Sequence, residues 1–352
     1  MSRQDEATPL APGKPWAPSR LVIVAFACLM IPLSVGLISM NKWLMRPDRF
    51  PHAIPLVLIH MVVCTVLTLL LRVVKPSFFP SLTDPDTRIE VDRNFILIGV
   101  VPIGACFASS LVLSNMAYTY LGVAFIQMIK ESNLVWVYVL CVIFAVEKCT
   151  LRKCLVVCGV VIGMSLTVKG EMHFRLVGFV LQAMAVLTEA TRIFLQGKVL
   201  QGKKLDPMTY VMLTAPISAL LLIVVLLVIT AFPHVGHDLA LPHWSELRDW
   251  APWLFCSACL AFCLNLCIAS FIKYTGPVSY CMMGLIKDMV QVLVSVSILK
   301  EIVSPMQLCG FILEICCVLT WAWLKSEPEK FESGSLLGAK EALKVAKVPA
   351  EA

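Results

Sequence analysis

The sequence predicts an all-α polytopic membrane protein of ten transmembrane helices, built as a five-plus-five inverted repeat. Three observations predict it. Of 352 residues, 59% are hydrophobic and 15% charged, with a mean hydropathy of +0.85; an ordinary soluble domain holds about 45–50% apolar and about 25% charged residues. The apolar residues gather in long charge-free runs, as segments that cross a bilayer must. An Ile-Lys-acid tripeptide then recurs in two of these runs, Ile129-Lys130-Glu131 and Ile286-Lys287-Asp288, five runs apart. Disorder, collagen and nucleic-acid binding are excluded at the same step, because the net charge of +6 is spread over loops and tails rather than gathered on one basic face.

Taken in order, residues 21–41 and 50–71 hold no charge. Residues 94–129 are also uncharged, too long for one span at about 1.5 Å per residue, so a break is predicted at Tyr118-Thr119-Tyr120-Leu121-Gly122. Further spans read as roughly 122–146, 151–169, 175–197, 207–232, 250–272, 278–299 and 303–325. The halves are then about 21–170 and 175–325. They are flanked by polar tails, 1–20 and 326–352. After each Ile-Lys-acid run comes a charged break, Glu147-Lys148 and Lys300-Glu301, then a helix with Cys-Gly in its first half, Cys158-Gly159 and Cys309-Gly310. Five spans is an odd number, so the second half is inverted relative to the first. Inverted repeats with a site near the midplane are a transporter architecture.

Well over half of the 29 Lys and Arg residues fall in the two tails and in the loops after even-numbered spans. Both termini are therefore expected in the cytosol. The short N-terminal tail with Asp5 and Glu6 is unlike a plastid transit peptide, and the first run is too long for a cleaved signal. With no Asn-x-Ser/Thr sequon, the expected location is the Golgi or ER, with the plastid envelope as the alternative. The 15 Cys lie mostly inside apolar runs and read as small packing residues. The single Cys256-x-x-Cys259 has no second pair, and His234, His237 and His243 with Asp238 read as a polar loop. No metal and no cofactor are assigned.

Seven ionisable residues stand inside spans: Lys130, Glu131, Glu189, Arg192, Lys287, Asp288 and Glu314. Exposing all of them to lipid would cost on the order of 20 kcal/mol, so they face partners or water. Glu189 and Arg192, at i and i+3, form a candidate structural ion pair. Lys130 and Glu131 are adjacent on a helix and point about 100° apart, too far to pair well; the same holds for Lys287 and Asp288. Gln127 and Asn133 lie one turn either side of Lys130, and Gly284 and Gln291 flank Lys287, which makes the lysines the cavity candidates. Two ammonium groups in one narrow aqueous pocket repel unless an anion sits between them, and a phosphate group meets that need. Two internal Lys–carboxylate bridges that only orient helices remain the alternative. Glu314 stands alone with no partner assigned.

Val101-Pro-Ile-Gly-Ala, Leu113-Ser-Asn115, Phe125-Ile-Gln-Met-Ile-Lys130, Glu189-Ala-Thr-Arg192 and Lys287-Asp288 together resemble the triose-phosphate translocator family of the drug/metabolite transporter superfamily. Within it they are most similar to the plant "KD" group of sugar-phosphate or nucleotide-sugar translocators, over about residues 20–325. The resemblance implies ten helices, the inverted repeat, and strict exchange of a phosphorylated solute for phosphate or a nucleoside monophosphate. It also implies a phosphate site, of which Lys130 and Lys287 are retained here. Ser114 stands at the family's threonine position, Leu111 at its histidine, Leu264 at its tyrosine and Asp288 at its arginine. Losing the guanidinium weakens the grip on a terminal dianion and tilts the expectation towards a nucleotide sugar, with Tyr210 and Asn265 as candidates for further contacts.

The function expected is therefore an alternating-access antiporter in the lipid bilayer. Lys130 and Lys287 would hold the phosphoryl group, with Ser114, Asn115 and Gln127 as polar neighbours. Asp288 would accept from a sugar hydroxyl or tether its helix. Two other classes stay open: a non-transporting scaffold or receptor derived from a transporter, and a membrane-embedded sugar transferase, which would need converging acids or a metal site at the membrane face, where no Asp-x-Asp or comparable cluster is expected. Oligomeric state is open, a homodimer being compatible with the chain.

Overall fold

A computed structural model describes residues 20–46, 48–85, 87–117, 120–146, 149–172, 174–231, 241–298 and 302–326. Every regular element among them is helical. In chain order the α-helices are α1 (Arg20–Leu44), α2 (Ala53–Val74), the short α3 (Pro80–Thr83), α4 (Val101–Ala117), α5 (Val123–Lys130), α6 (Asn133–Ile143), α7 (Leu151–Gly170), α8 (Leu176–Gly197), α9 (Pro207–Ala231), α10 (Trp244–Thr275), α11 (Pro277–Ile298) and α12 (Pro305–Ser326), with π-helical turns at Phe95–Val100 leading into α4 and at Lys198–Gly202 continuing α8 and a 3-10 turn at Pro76–Phe78. Among the described residues, seven helices are long and apolar enough to cross a membrane; Val24–Leu37 and Pro305–Trp321 are shorter apolar helices. On α2 and α9, Val66, Leu69, Leu70, Leu220, Leu227 and Val228 are exposed, as side chains turned to lipid are.

The long uncharged stretch does break: α4 ends at Ala117 and α5 starts after Gly122, whose backbone is extended. Tyr118 and Thr119 lie outside the described residues. The next span follows expectation as one apolar segment, Ala124–Ile143, but it is locally tightened at Glu131 and Ser132, where α5 stops at Lys130 and α6 starts at Asn133. The Ser132 hydroxyl donates to the Ile129 carbonyl at 2.7 Å, and the backbone closes i,i+3 turns through Met128–Glu131 and Ile129–Ser132. A serine hydroxyl bonded in this way competes locally with the helix ladder, although the same bond at Ser110 and Thr188 leaves α4 and α8 continuous. Lys130 closes α5 and Glu131 stands in the turn, its backbone still helical.

Helix α10 is longer than its apolar run because its first turn is capped outside it. The Glu246 carboxylate accepts from the His243 backbone at 3.0 Å. Between α10 and α11 only Gly276 intervenes, at φ +90°, a conformation that residues with a Cβ rarely adopt.

Two apolar cores form. One gathers residues of α2, α4, α9 and α10, including Ile54, Met61, Ile103, Ala215 and Ile272. The other joins α6, α7, α8, α11 and α12 through Val137, Val160, Ile193 and Val318, with Tyr138 edge-on to Trp321 at 4.7 Å. Helix α8 stands at the boundary: Ala190, Ile193 and Phe194 belong to the second core, and its continuation Val199 and Leu200 to the first. Helices α7 and α12 approach closely at Gly163 and Gly310. A Cβ on Gly163 would lie 2.7 Å from Glu314 Cγ and 2.8 Å from the Gly310 carbonyl.

Candidate functional site

Two small cavities, each of about 60 Å³, lie on either side of α8. The break between α5 and α6 opens onto the first, which is bordered by Lys130, Glu131 and Asn133, by Glu189 and Ile193 of α8, and by Tyr280, Cys281 and Gly284 of α11. The second is bordered by Arg192 and Gln196 of α8, Tyr210, Thr214 and Ser218 of α9, Asn265 of α10, and Phe107 of α4. Glu189 thus faces one cavity and Arg192 the other, and Arg192 Nη2 lies 3.6 Å from Glu189 Oε1 across the helix turn between them.

Of the residues expected from sequence to contact the solute, Lys130 is the one that borders the first cavity among the described residues, beside Glu131, Asn133, Glu189 and Gly284, which the sequence also singled out. Lys287 and Asp288 stand on α11 one turn beyond Gly284, and α11 packs directly on α5; the side chains of Lys287, Asp288 and Asn115 lie outside the described atoms. Gln127 is buried one turn before Lys130. Ser114 Oγ donates to Gln182 Oε1 at 3.4 Å, joining α4 to α8, and borders neither cavity among the described residues. Tyr210 and Asn265 come together, but beside Arg192 rather than beside Lys130. Asn265 Nδ2 also reaches Cys64 Sγ at 4.0 Å. His234, His237 and Asp238 lie outside the described residues.

Several polar groups escape a sequence reading. Glu314, expected to be solitary, is fully buried and accepts from Thr167 Oγ1 of α7 at 3.4 Å. Gln182 and Gln196 bring buried amides to α8, and Tyr280 puts a phenol at the Lys130 cavity. The expectation of no Asp-x-Asp cluster is corrected by the sequence itself, which carries Asp84-Pro85-Asp86 in the loop after α3. There Asp84 Oδ2 accepts from Thr87 Oγ1 at 3.2 Å, a local turn contact, and Asp86 lies outside the described residues. A larger cleft of about 650 Å³ opens where this loop meets the end of α8, with Glu90, Asp92, Lys198 and Lys203 on its rim.

Chemically, the first cavity joins one ammonium group to two carboxylates, Glu131 and Glu189, against a helix that carries Lys287-Asp288. The second offers a guanidinium among neutral donors and acceptors. Charges at a helix break inside an apolar bundle are the arrangement with which carriers hold charged solutes.

Comparison with known proteins gives a consistent result. The model of the Triose-phosphate Transporter family matches residues 22–322. One relative from Arabidopsis thaliana, named a "probable sugar phosphate/phosphate translocator", is 33% identical over 291 residues, covering 82% of this chain and 79% of the relative. A second of the same description and organism is 29% identical over 342 residues, covering 92% and 94%. A third is 31% identical over 295 residues, covering 83% and 80%.

Proposed function

Since the chain belongs to the triose-phosphate transporter family, and is accordingly a multi-pass membrane transporter rather than an enzyme, we propose that it is a secondary antiporter. It exchanges a phosphorylated sugar, either a nucleotide sugar or a sugar phosphate, for inorganic phosphate or a nucleoside monophosphate by alternating access. The names of the Arabidopsis relatives point to the same solute chemistry. In this reading ten spans form an inverted five-plus-five repeat, in halves of about 21–170 and 175–325. The helix pairing supports it: α1 packs on α10 and α4 on α8, which are equivalent pairs when spans one to five exchange with six to ten. The pairs α2–α9, α5–α11 and α7–α12 map onto themselves.

The observation that carries the reading is the interrupted helix at Lys130. It opens on a cavity whose facing helix, α11, presents Gly284 one turn before Lys287. Lys130 and Lys287 clasp the phosphoryl group there, and Asp288 contacts the sugar or tethers α11. With the anion absent, two ammonium groups in a small cavity repel, so the empty carrier changes state slowly and exchange becomes obligatory. Each cavity holds only about 60 Å³, less than a sugar phosphate occupies, so the solute is admitted by helix movement around α8. The Tyr210–Asn265 side adds contacts beyond the phosphoryl group and favours a nucleotide sugar. The carrier resides in the Golgi or ER with both termini cytosolic, the plastid envelope being the alternative.

Reconstitution in liposomes preloaded with phosphate, UMP or GMP tests this against labelled sugar phosphates and nucleotide sugars. Wild-type protein is expected to exchange at least one such pair, and Lys287→Ala to abolish exchange while inserting normally. Full exchange by Lys287→Ala rejects the site.

A further inference from the structure

The surroundings of Arg192 set it apart from the other charges in the bundle. Among the residues bordering the Tyr210 cavity it is the one that carries charge, whereas the Lys130 cavity balances its ammonium group with Glu131 and Glu189. A guanidinium offers five N–H donors in a planar fork. Here one of them lies 3.6 Å from Glu189 Oε1, longer than the roughly 2.7–2.9 Å of a charge-assisted hydrogen bond. Arg192 Nε is buried with no hydrogen-bond partner among the described residues. Its Cζ lies over the Phe107 ring, 5.8 Å from the ring centroid. A largely buried guanidinium with one long ion pair to Glu189 and an unpartnered Nε, in a cavity otherwise lined by neutral groups, has donors to spare for a second acceptor.

We propose that Arg192 is a second anion-contacting residue, which takes a phosphoryl oxygen of the solute from the Tyr210 cavity, and that Glu189 occupies its fork when the carrier is empty. This rests on the translocator reading above. Carboxylate and phosphoryl oxygens meet the same fork, and the one-turn offset between Glu189 and Arg192 lets a rotamer change of Arg192 exchange one for the other. The lost family guanidinium, replaced on α11 by Asp288, is thereby supplied from α8. The exchange also links the two cavities: an anion that draws Arg192 away leaves Glu189 facing the Lys130 side.

The test is phosphate binding to the purified full-length chain by titration calorimetry, together with the KM for phosphate in liposome exchange. Glu189→Gln removes the competing charge and is expected to tighten phosphate binding about threefold, a gain that misfolding does not produce. Arg192→Lys keeps the charge but loses the fork and is expected to weaken binding about tenfold. A phosphate affinity that is unchanged in both variants, or weakened in Glu189→Gln, overturns the inference and makes the pair structural. Wild-type exchange with a KM insensitive to both substitutions leaves the antiporter standing and removes the Arg192 site. Phosphate binding through Arg192 without exchange does the reverse.

Discussion

Lys130 and Gly284 border one cavity from two different helices, Lys130 at the end of α5 and Gly284 a single turn before Lys287 on α11. A Cβ added at Gly284 meets nothing within 4 Å, so the space beside it is open and belongs to the site. Gly284→Ala is therefore expected to fold and exchange within about twofold of wild type, whereas Gly284→Leu fills the cavity. The larger side chain should lower liposome exchange roughly tenfold, the scale on which a fitted pocket answers to a change of a few carbons. Its melting temperature should stay within a few degrees of wild type. Unimpaired exchange by Gly284→Leu would route the solute elsewhere.

The α7–α12 crossing makes the opposite demand on its glycines. At Gly163 a Cβ would press on Glu314 Cγ and the Gly310 carbonyl, and at Gly310 on the Gly163 carbonyl and Thr167. Backbone atoms move less readily than side-chain tips, so Gly163→Ala and Gly310→Ala should each cost about 1–3 kcal/mol. Gly36→Ala, where a Cβ meets nothing within 4 Å, serves as the control and should leave stability unchanged or slightly raised. Unfolding in a graded detergent series measures all three.

Much of the helix layout was legible because the chain punctuates it. The ends of α7, α8, α11 and α12 fall within two residues of the limits read from charges, glycines and prolines. Hydropathy marks the part of a helix that meets lipid, however, and so missed the first six residues of α10, whose start is set by a capping carboxylate. The tightening between α5 and α6 was illegible because it is confined to two turn residues, Glu131 and Ser132, with no proline or glycine to mark it. The candidate site was half legible. Buried charge marked Lys130, Glu189 and Arg192 as residues that must face something other than lipid. It did not reveal that α8 divides them between two cavities, nor that Thr167 and Glu314, 147 positions apart, meet at a helix crossing.

Asp206 ties the short helix α3 to the start of α9. Its carboxylate accepts from the Ser81 backbone at 2.9 Å, from the Thr209 backbone at 2.7 Å and from Thr209 Oγ1 at 2.7 Å, while its own N–H donates to Ser81 Oγ at 2.8 Å. It is buried, so Asp206→Ala strands several donors at once and should cost about 2–3 kcal/mol. Asp206→Asn keeps an acceptor oxygen for the cap and should cost less. Thermal unfolding of the two variants gives the order.

A second buried chain runs across α1, α2 and α10: Ser257 Oγ donates to Asn41 Oδ1 at 2.7 Å and pairs with His60 Nε2 at 3.0 Å. Ser257→Ala removes the shared centre and should destabilise by about 1–3 kcal/mol, with the KM for phosphate unmoved, because none of the three borders the Lys130 cavity among the described residues. A shift in KM without loss of stability would draw this chain into the transport path.

The central claim is that Lys130 and Lys287 hold one anion between them. A double-mutant cycle on phosphate binding by the full-length chain tests it most directly, using Lys130→Gln, Lys287→Gln and the double variant in titration calorimetry. If both amines grip the same phosphoryl group, the double variant should bind more tightly than the summed single losses imply, with a coupling of about 1 kcal/mol or more. Losses that add to within about 0.3–0.5 kcal/mol, as those of independent sites do, would contradict it.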